Sequence, residues 1–501
     1  MQSRKRVENW KSLRLGLHEI MTMKTFLRIC IFASLLYSLG YSREFKDTQG
    51  RTIEAELISS TATMVSIRRS DGRVFTLPLQ QFSQEDQVWI RAQGNAPSQN
   101  SIRPAASSKV TYETLNTLFG CNLWGDHHVW DDDVAAVAKR LSWPQESNTE
   151  SLSSFRLYSR GSNRILDATA YSSTLYGEDG VPGEVSIVFA NKGDLVSDGS
   201  LVGSPEISNI DEIKEILNEK IEQEAEKLSH SLSEILGSPK RTKTGKGGLK
   251  ERVSRWDWND HAILLSEQEG EYLTCRIVPV ERADSRGSLG KISKREIRER
   301  LSQNIQNHDN QDVLIKNIPM VDQGPKGYCV PATFERYLRY MGISADMYVL
   351  AMAGETGIGG GTRVYQIVES TEALVEDAGL GLETVDIDLE DLDDVSEYID
   401  QGLPIMWTML SGKGYNDFAR ENTMARAGDP NWHEHASDFR EKGRYVNVDR
   451  DASHICMIVG YNNETREVAI SDSWGKAYEL RWIPLTLAQR VTQRYYYVIE
   501  R

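Results

Sequence analysis

One cysteine in this chain stands where a thiol can be made reactive. The segment Ile318-Pro-Met-Val-Asp-Gln-Gly-Pro-Lys-Gly-Tyr328 is rich in glycine and proline, and Cys329 follows it directly. From Pro331 to Met341 the pattern turns helical, and Gly342 ends it. Cys329 is therefore expected at a loop-to-helix junction, where unpaired backbone N–H groups and the helix dipole favour a thiolate. A thiolate nucleophile needs a base, and the base needs an orienting group. Downstream, Asp451-Ala-Ser-His454 leads into an apolar, β-branched run ending at Tyr461. Asn462-Asn463 turns the chain, and Glu467–Asp472 returns as a second strand that ends in Asp472-Ser-Trp-Gly475. Antiparallel pairing sets the start of one strand beside the end of the next. It predicts that Asp472 holds the His454 ring and that Trp474 shields their hydrogen bond from water. Cys456, two residues beyond His454 on the same strand face, reads as core.

The order Gln323, Cys329, His454, Asp472 resembles that of papain-like cysteine peptidases. His454 and Asp472 follow Cys329 by about 125 and about 143 residues, near the ~130–150 of that group. Asp472-Ser-Trp-Gly475 is similar to the Asn-Ser-Trp-Gly of papain with aspartate in place of asparagine, whereas papain's Cys-Gly-Ser-Cys-Trp block is absent. Three blocks are closer to the bacterial branch, peptidase family thirty-nine and its relatives: Asp322-Gln-Gly, Tyr328-Cys-Val-Pro-Ala-Thr333, and Ser453-His454 before Val459-Gly-Tyr461. The resemblance covers Ile318–Ile499. It implies an α+β papain-like domain, bounded here at 313–501, acting on a peptide or protein substrate without a cofactor. It implies that Cys329 attacks a carbonyl carbon, His454 moves the proton and Asp472 orients His454. The Gln323 side chain and the Cys329 N–H would form the oxyanion hole, and Gly327, Tyr328 and Trp474 would meet the substrate. Two alternatives stay open: a related acyl-transfer enzyme such as a cell-wall amidohydrolase, and a non-catalytic scaffold on the same fold.

A chain of 501 residues needs more than one core. The expected architecture is multidomain: a small all-β SH3-like barrel, an α+β middle domain and the α+β papain-like domain. Residues 23–42 carry Lys24 and Arg28, an apolar run, and then small residues at Ser38, Gly40 and Ser42. This is the layout of an export signal cleaved near Ser42, with 1–22 as a mis-assigned extension. Localisation would then be the periplasm, the cell envelope or the outside. Residues 43–92 alternate in short strands separated by Gln49-Gly50 and Asp71-Gly72, with a helix start at Ser83-Gln-Glu-Asp86. This stretch resembles the Sla-one homology domain in F-x-D-x-x-G-R-x-x-x-A from Phe45 to Ala55, in Asp71-Gly-Arg73 and in Ser83-x-x-Asp86. The resemblance implies a module binding a protein or a cell-envelope ligand. Residues 93–110 read as a linker, and 111–280 as an α+β domain of unassigned function. In that domain, strands are expected at Ile165–Tyr171 and Val185–Phe189. A long amphipathic helix from about Asn209 precedes a basic loop at Lys240–Arg252 and a hairpin near Ala262–Ile277. Residues 281–312 read as a second linker with a helical piece.

The formal net charge of −15 argues against a nucleic-acid partner, which would need a basic face. The glycines before Thr362 lack the Lys-Ser/Thr of a phosphate loop and read as a loop near the cleft. Asp126-His-His128 with Asp131–Asp133, and His433 with Glu434 and His435, have no recognised metal-ligand spacing. Residues 411–450 read as an irregular insertion near the cleft. A Cys121–Cys275 bridge is one of the three pairings that four exported cysteines allow.

Overall fold

The computed structural model describes residues 43–48, 50–60, 64–69, 74–94, 110–159, 163–197, 210–286, 293–358 and 360–500. The expected export signal, the Asp71–Arg73 turn and most of the first linker lie outside the described residues. The chain divides into two compact units, one ending at Arg103 and one starting at Pro104.

In the first unit, strands Arg43–Lys46, Thr52–Ser60, Met64–Arg69 and Val74–Pro78 pair in sequence order as an antiparallel meander. Period-two alternation gathers Phe45, Ala55, Val65 and Ile67 into a core completed by Leu79, Phe82 and Ile90. Asp86 makes Ser83-x-x-Asp86 more than a helix start. Its backbone N–H donates to Ser83 Oγ (3.2 Å), while its carboxylate accepts from Lys46 N and Arg43 Nη2, both at 2.7 Å. The motif thereby ties helix Gln84–Gly94 to the first strand.

The second unit contains two large sheets. The first has eight antiparallel strands in the order Lys240–Thr244, Glu251–Trp258, His261–Gln268, Tyr272–Pro279, Val181–Asn191, Ser172–Glu178, Leu152–Tyr158, Gln145–Asn148. Helix Ile210–Leu236 lays Leu217, Ile221, Ala225, Leu228 and Leu232 against it. Two local expectations are corrected. The basic stretch after Lys240 is an edge strand rather than a loop, because charged side chains are tolerated on an edge that faces water. Ile165–Tyr171 is not one strand but part of a two-residue-per-arm hairpin, reversed at Leu166 and Asp167, which adopt φ of 54° and 56°. Cys121 and Cys275 are free thiols, not a bridge.

The second sheet runs Ile305–Asn307, Val313–Ile315, Ser453–Asn462, Ile405–Leu410, Thr492–Glu500, Gly381–Val385. Glu467–Ser471 also pairs with Ser453–Asn462 and in turn carries Arg481–Pro484. Helix Cys329–Tyr340 packs on this sheet with nearly all of its residues buried. The 281–312 stretch is no linker. Helix Lys294–Gln303 buries Ile297 and Leu301 in the C-terminal core, and Ile305–Asn307 is the sheet's first strand. Val188, Leu249 and Tyr272 of the middle region join that same core, while the rest of the middle sheet and its long helix close a second core of their own. The 411–450 insertion is also regular. It forms helices Lys413–Gly428 and Trp432–Gly443, the first held by a buried stripe of Tyr415, Phe418, Ala419 and Asn422 at helical spacing.

Candidate active site

Cys329 is the first residue of its helix and is half-buried. Pro331 suits the first turn, where its missing N–H would have no intrahelical partner. The Cys329 thiol and the His454 side chain lie close enough for each to act on the other's ionisation. Burial pushes the thiol up, but the His454 hydrogen bond and charge, with the backbone N–H groups of Ile455 and Val330, bring it below its ordinary value. His454 sits one residue inside strand Ser453–Asn462 and is 7% exposed. The antiparallel register sets Met457 opposite Ser471, which carries Asp472 back alongside His454. His454 Nε2 lies 2.9 Å from Asp472 Oδ1, leaving the other ring nitrogen for the cysteine. Burial alone would lower the imidazole. The hydrogen bonds to Asp472 and Cys329 and their charges raise it to about 9. The arrangement favours a thiolate–imidazolium pair at neutral pH. Trp474 stacks on the His454 ring at 4.4 Å between centroids, covering it from one side.

Asp472 is fully buried, and the register alone does not explain why a carboxylate is stable there. Arg481, the first residue of strand Arg481–Pro484, donates from Nη2 to Asp472 Oδ2 at 2.7 Å. Burial raises the carboxyl, and the charge of Arg481 and the His454 hydrogen bond bring it below the ordinary range. A second buried arginine braces the helix. Arg336 donates to Pro319 O (2.9 Å) and Ser471 Oγ (2.6 Å), joining the nucleophile helix to the loop before it and the strand end beside Asp472. Neither arginine carries a motif signature, and sequence reasoning missed both.

Gln323 is buried beside the Asp472 loop, its backbone N–H donating to Ser473 O at 2.9 Å. Its side-chain Nε2 donates to Lys326 O (2.8 Å), and Oε1 has no hydrogen-bond partner among the described residues. The amide keeps one N–H that this bond does not use. Gly475 adopts φ +84°, and a Cβ there would lie 2.9 Å from Asp322 Oδ2, so the two loops are in close approach. Gly327 lies under the glycine loop, where Gly361 N–H donates to Gly327 O and a Cβ on Gly360 would fall 2.5 Å from Gly327 Cα. Tyr328 departs from expectation. The residue is 1% exposed and its ring packs against Gly193 of the middle region, so the side chain is core rather than a substrate contact.

The loop from Met320 to Tyr328 is fastened from outside its own sheet. Met320 N–H donates to Ser147 Oγ and Asp322 N–H to Glu146 Oε1, both at 2.9 Å, and the Tyr158 hydroxyl donates to Asp322 O. Lys326 is buried and paired with buried Asp194 at 3.0 Å, with the ring of Tyr158 4.7 Å from its ammonium. Behind the helix, Glu335 accepts from Tyr176 (2.9 Å) and Arg339 (2.8 Å). The other candidates hold ordinary partners: His128 near Asp260 (3.4 Å), His433 with Glu464 (2.7 Å) and His435 with Asp429 (2.5 Å). Among the described residues no three His, Cys, Asp or Glu side chains converge as metal ligands.

No curated protein matches the chain. Among solved structures it is similar to the peptidase domain of Streptococcus ComA, a bi-functional ABC transporter involved in a quorum-sensing pathway. That similarity has 14% identity and a TM-score of 0.24, and covers 37% of this chain and 98% of that one. Residues 315–499, which hold Cys329, His454, Asp472 and Arg481, match the model of the Peptidase_C39 like family, so the C-terminal part of the chain is similar to that family.

Proposed function

We propose that the chain is a cysteine peptidase in which Cys329, His454 and Asp472 act as a triad and Gln323 completes an oxyanion hole. The observation that carries this reading is the placement of the half-buried Cys329 thiol, at its helix start, against His454, whose Nε2 lies 2.9 Å from buried Asp472 Oδ1. The Cys329 thiolate attacks the scissile carbonyl carbon, and the C=O π pair moves onto oxygen. The free Gln323 N–H and the Cys329 backbone N–H receive that oxyanion, each donor being worth about 2.7–4 kcal/mol in such sites. The His454 imidazolium gives its proton to the departing amine as the C–N bond breaks, leaving a thioester. Neutral His454 then takes a proton from water, whose oxygen attacks the thioester and releases the acid and the thiol. Asp472 keeps the ring in the tautomer that faces sulfur.

Export is inferred from residues 23–42, and a targeting role for the first unit from its Sla-one-like pattern and its compact strand meander. The substrate class is peptide or protein. The test is labelling of the full chain with a thiol-reactive peptide-mimic probe beside Cys329→Ala and His454→Ala. Labelling no faster than that of denatured protein would sink the peptidase reading. Digestion of a peptide library beside peptidoglycan fragments then separates a peptidase from an amidohydrolase.

A further inference from the structure

An aspartate at the orienting position creates a problem that an asparagine would not. A bare buried carboxylate would bind the imidazolium too firmly and would repel the neighbouring thiolate. We propose that Arg481 is the positioning residue that makes aspartate workable at 472: it takes Oδ2 and balances the carboxylate charge, leaving Oδ1 to orient His454. This deepens the peptidase reading and rests on it.

The geometry gives Arg481 little freedom to do anything else. Nη2 is on Asp472 at 2.7 Å, and Nη1 is on Asn416 Oδ1 at 2.9 Å, an anchor supplied by the Lys413–Gly428 helix. Its guanidinium carbon lies 5.0 Å from the Tyr478 ring, 5.6 Å from Tyr415 and 5.8 Å from Trp474, the ring that covers His454. Arg481 is 3% exposed, so solvent screens the pair weakly. The other titratable or charged groups around Asp472 are His454 and Cys456 on the Ser453–Asn462 strand, Arg336 and Cys329 on the nucleophile helix, and Tyr415 on the Lys413–Gly428 helix. Glu479 interacts with Arg336. Arg336 spends its hydrogen bonds on Pro319, Ser471 and Ser473, leaving Arg481 as the arginine that is hydrogen-bonded to Asp472 beside His454 among the described residues.

The experiment is alkylation of the full chain by iodoacetamide from about pH 5 to about pH 10, with modification at Cys329 read by peptide mass spectrometry. Wild type should show a plateau bounded by thiolate formation on the acid side and by loss of imidazolium near about 9 on the alkaline side. In Arg481→Met the unbalanced Asp472 charge holds imidazolium longer and opposes the thiolate, so both limbs move up by about one pH unit. Arg481→Lys keeps the charge and should leave both limbs near wild type even if rates fall. Limbs unmoved in Arg481→Met, with only a lower rate or melting temperature, would overturn the proposal and reduce Arg481 to packing. If Arg481→Met does not fold, Asn416→Asp divides the Arg481 charge between two carboxylates. It should raise both limbs by about half as much, and unmoved limbs there also overturn the proposal. A wild type with no plateau, indifferent to His454→Ala, would instead sink the peptidase reading itself.

Discussion

The two sides of Cys329 are built by different means. On the base side, His454 and Arg481 lie on strands that flank Glu467–Ser471, Asp472 directly follows that middle strand, and backbone register brings the three together. On the loop side, Met320, Asp322 and Lys326 lie in irregular chain, and side chains of the middle region hold them: Ser147, Glu146 and Tyr158 from its sheet, and Asp194 from helix Lys192–Ser197. A strand pair positions its residues through many shared hydrogen bonds. A loop has no such ladder and depends on a few long-range partners. The base side is therefore the self-sufficient half, and the loop side makes the middle region part of the site's architecture.

That contrast can be broken at several points. His454→Ala should slow Cys329 labelling at neutral pH by about 10²–10³-fold and abolish the alkaline limb near about 9, followed by alkylation across pH. The sign follows from the upward displacement of His454. Its interactions in the folded state add stability in full below the ordinary value of 6.5, and that stability is lost as pH rises through about 9. Asp194→Ala leaves the Lys326 ammonium buried without its carboxylate and should destabilise the second unit by about 3 kcal/mol in urea unfolding. An unchanged midpoint would show that the loop side does not depend on the middle region. Gly360→Ala forces a methyl to 2.5 Å from Gly327 Cα at φ +108°. It should cost about 2 kcal/mol, read by thermal melting, and should slow labelling of Cys329 through the displaced loop. Tyr158→Phe removes only the hydroxyl that donates to Asp322 O. It should lower stability by about 1 kcal/mol and slow peptide-probe labelling a few-fold while leaving both pH limbs in place.

Much of the base side was legible before any fold was seen. The glycine-rich lead into Cys329 and the Pro331–Met341 periodicity predicted a helix start. The β-branched run after His454, the Asn462-Asn463 turn and the return to Asp472 predicted a hairpin that juxtaposes the two side chains. The 281–312 stretch misled because its expected helical piece is so charged that it reads as a linker, although Ile297 and Leu301 face inward and join the C-terminal core. Tyr328 misled for a related reason: its position in sequence, next to the cysteine, says nothing of the Gly193 backbone it packs against.

The sequence by itself determined the thiol, its helix start and the His–Asp hairpin, because each depends on local periodicity or on strands joined by a short turn. Only the tertiary structure decided that Arg481 shares Asp472, that Arg336 braces the helix, and that Asp194 and Tyr158 hold the loop before Cys329. Lys326 and Asp194 are 132 residues apart, and Tyr158 and Asp322 are 164 apart. No local pattern encodes such pairs. They form because packing the middle region against the C-terminal sheet leaves each desolvated polar group no partner except the one that packing brings to it.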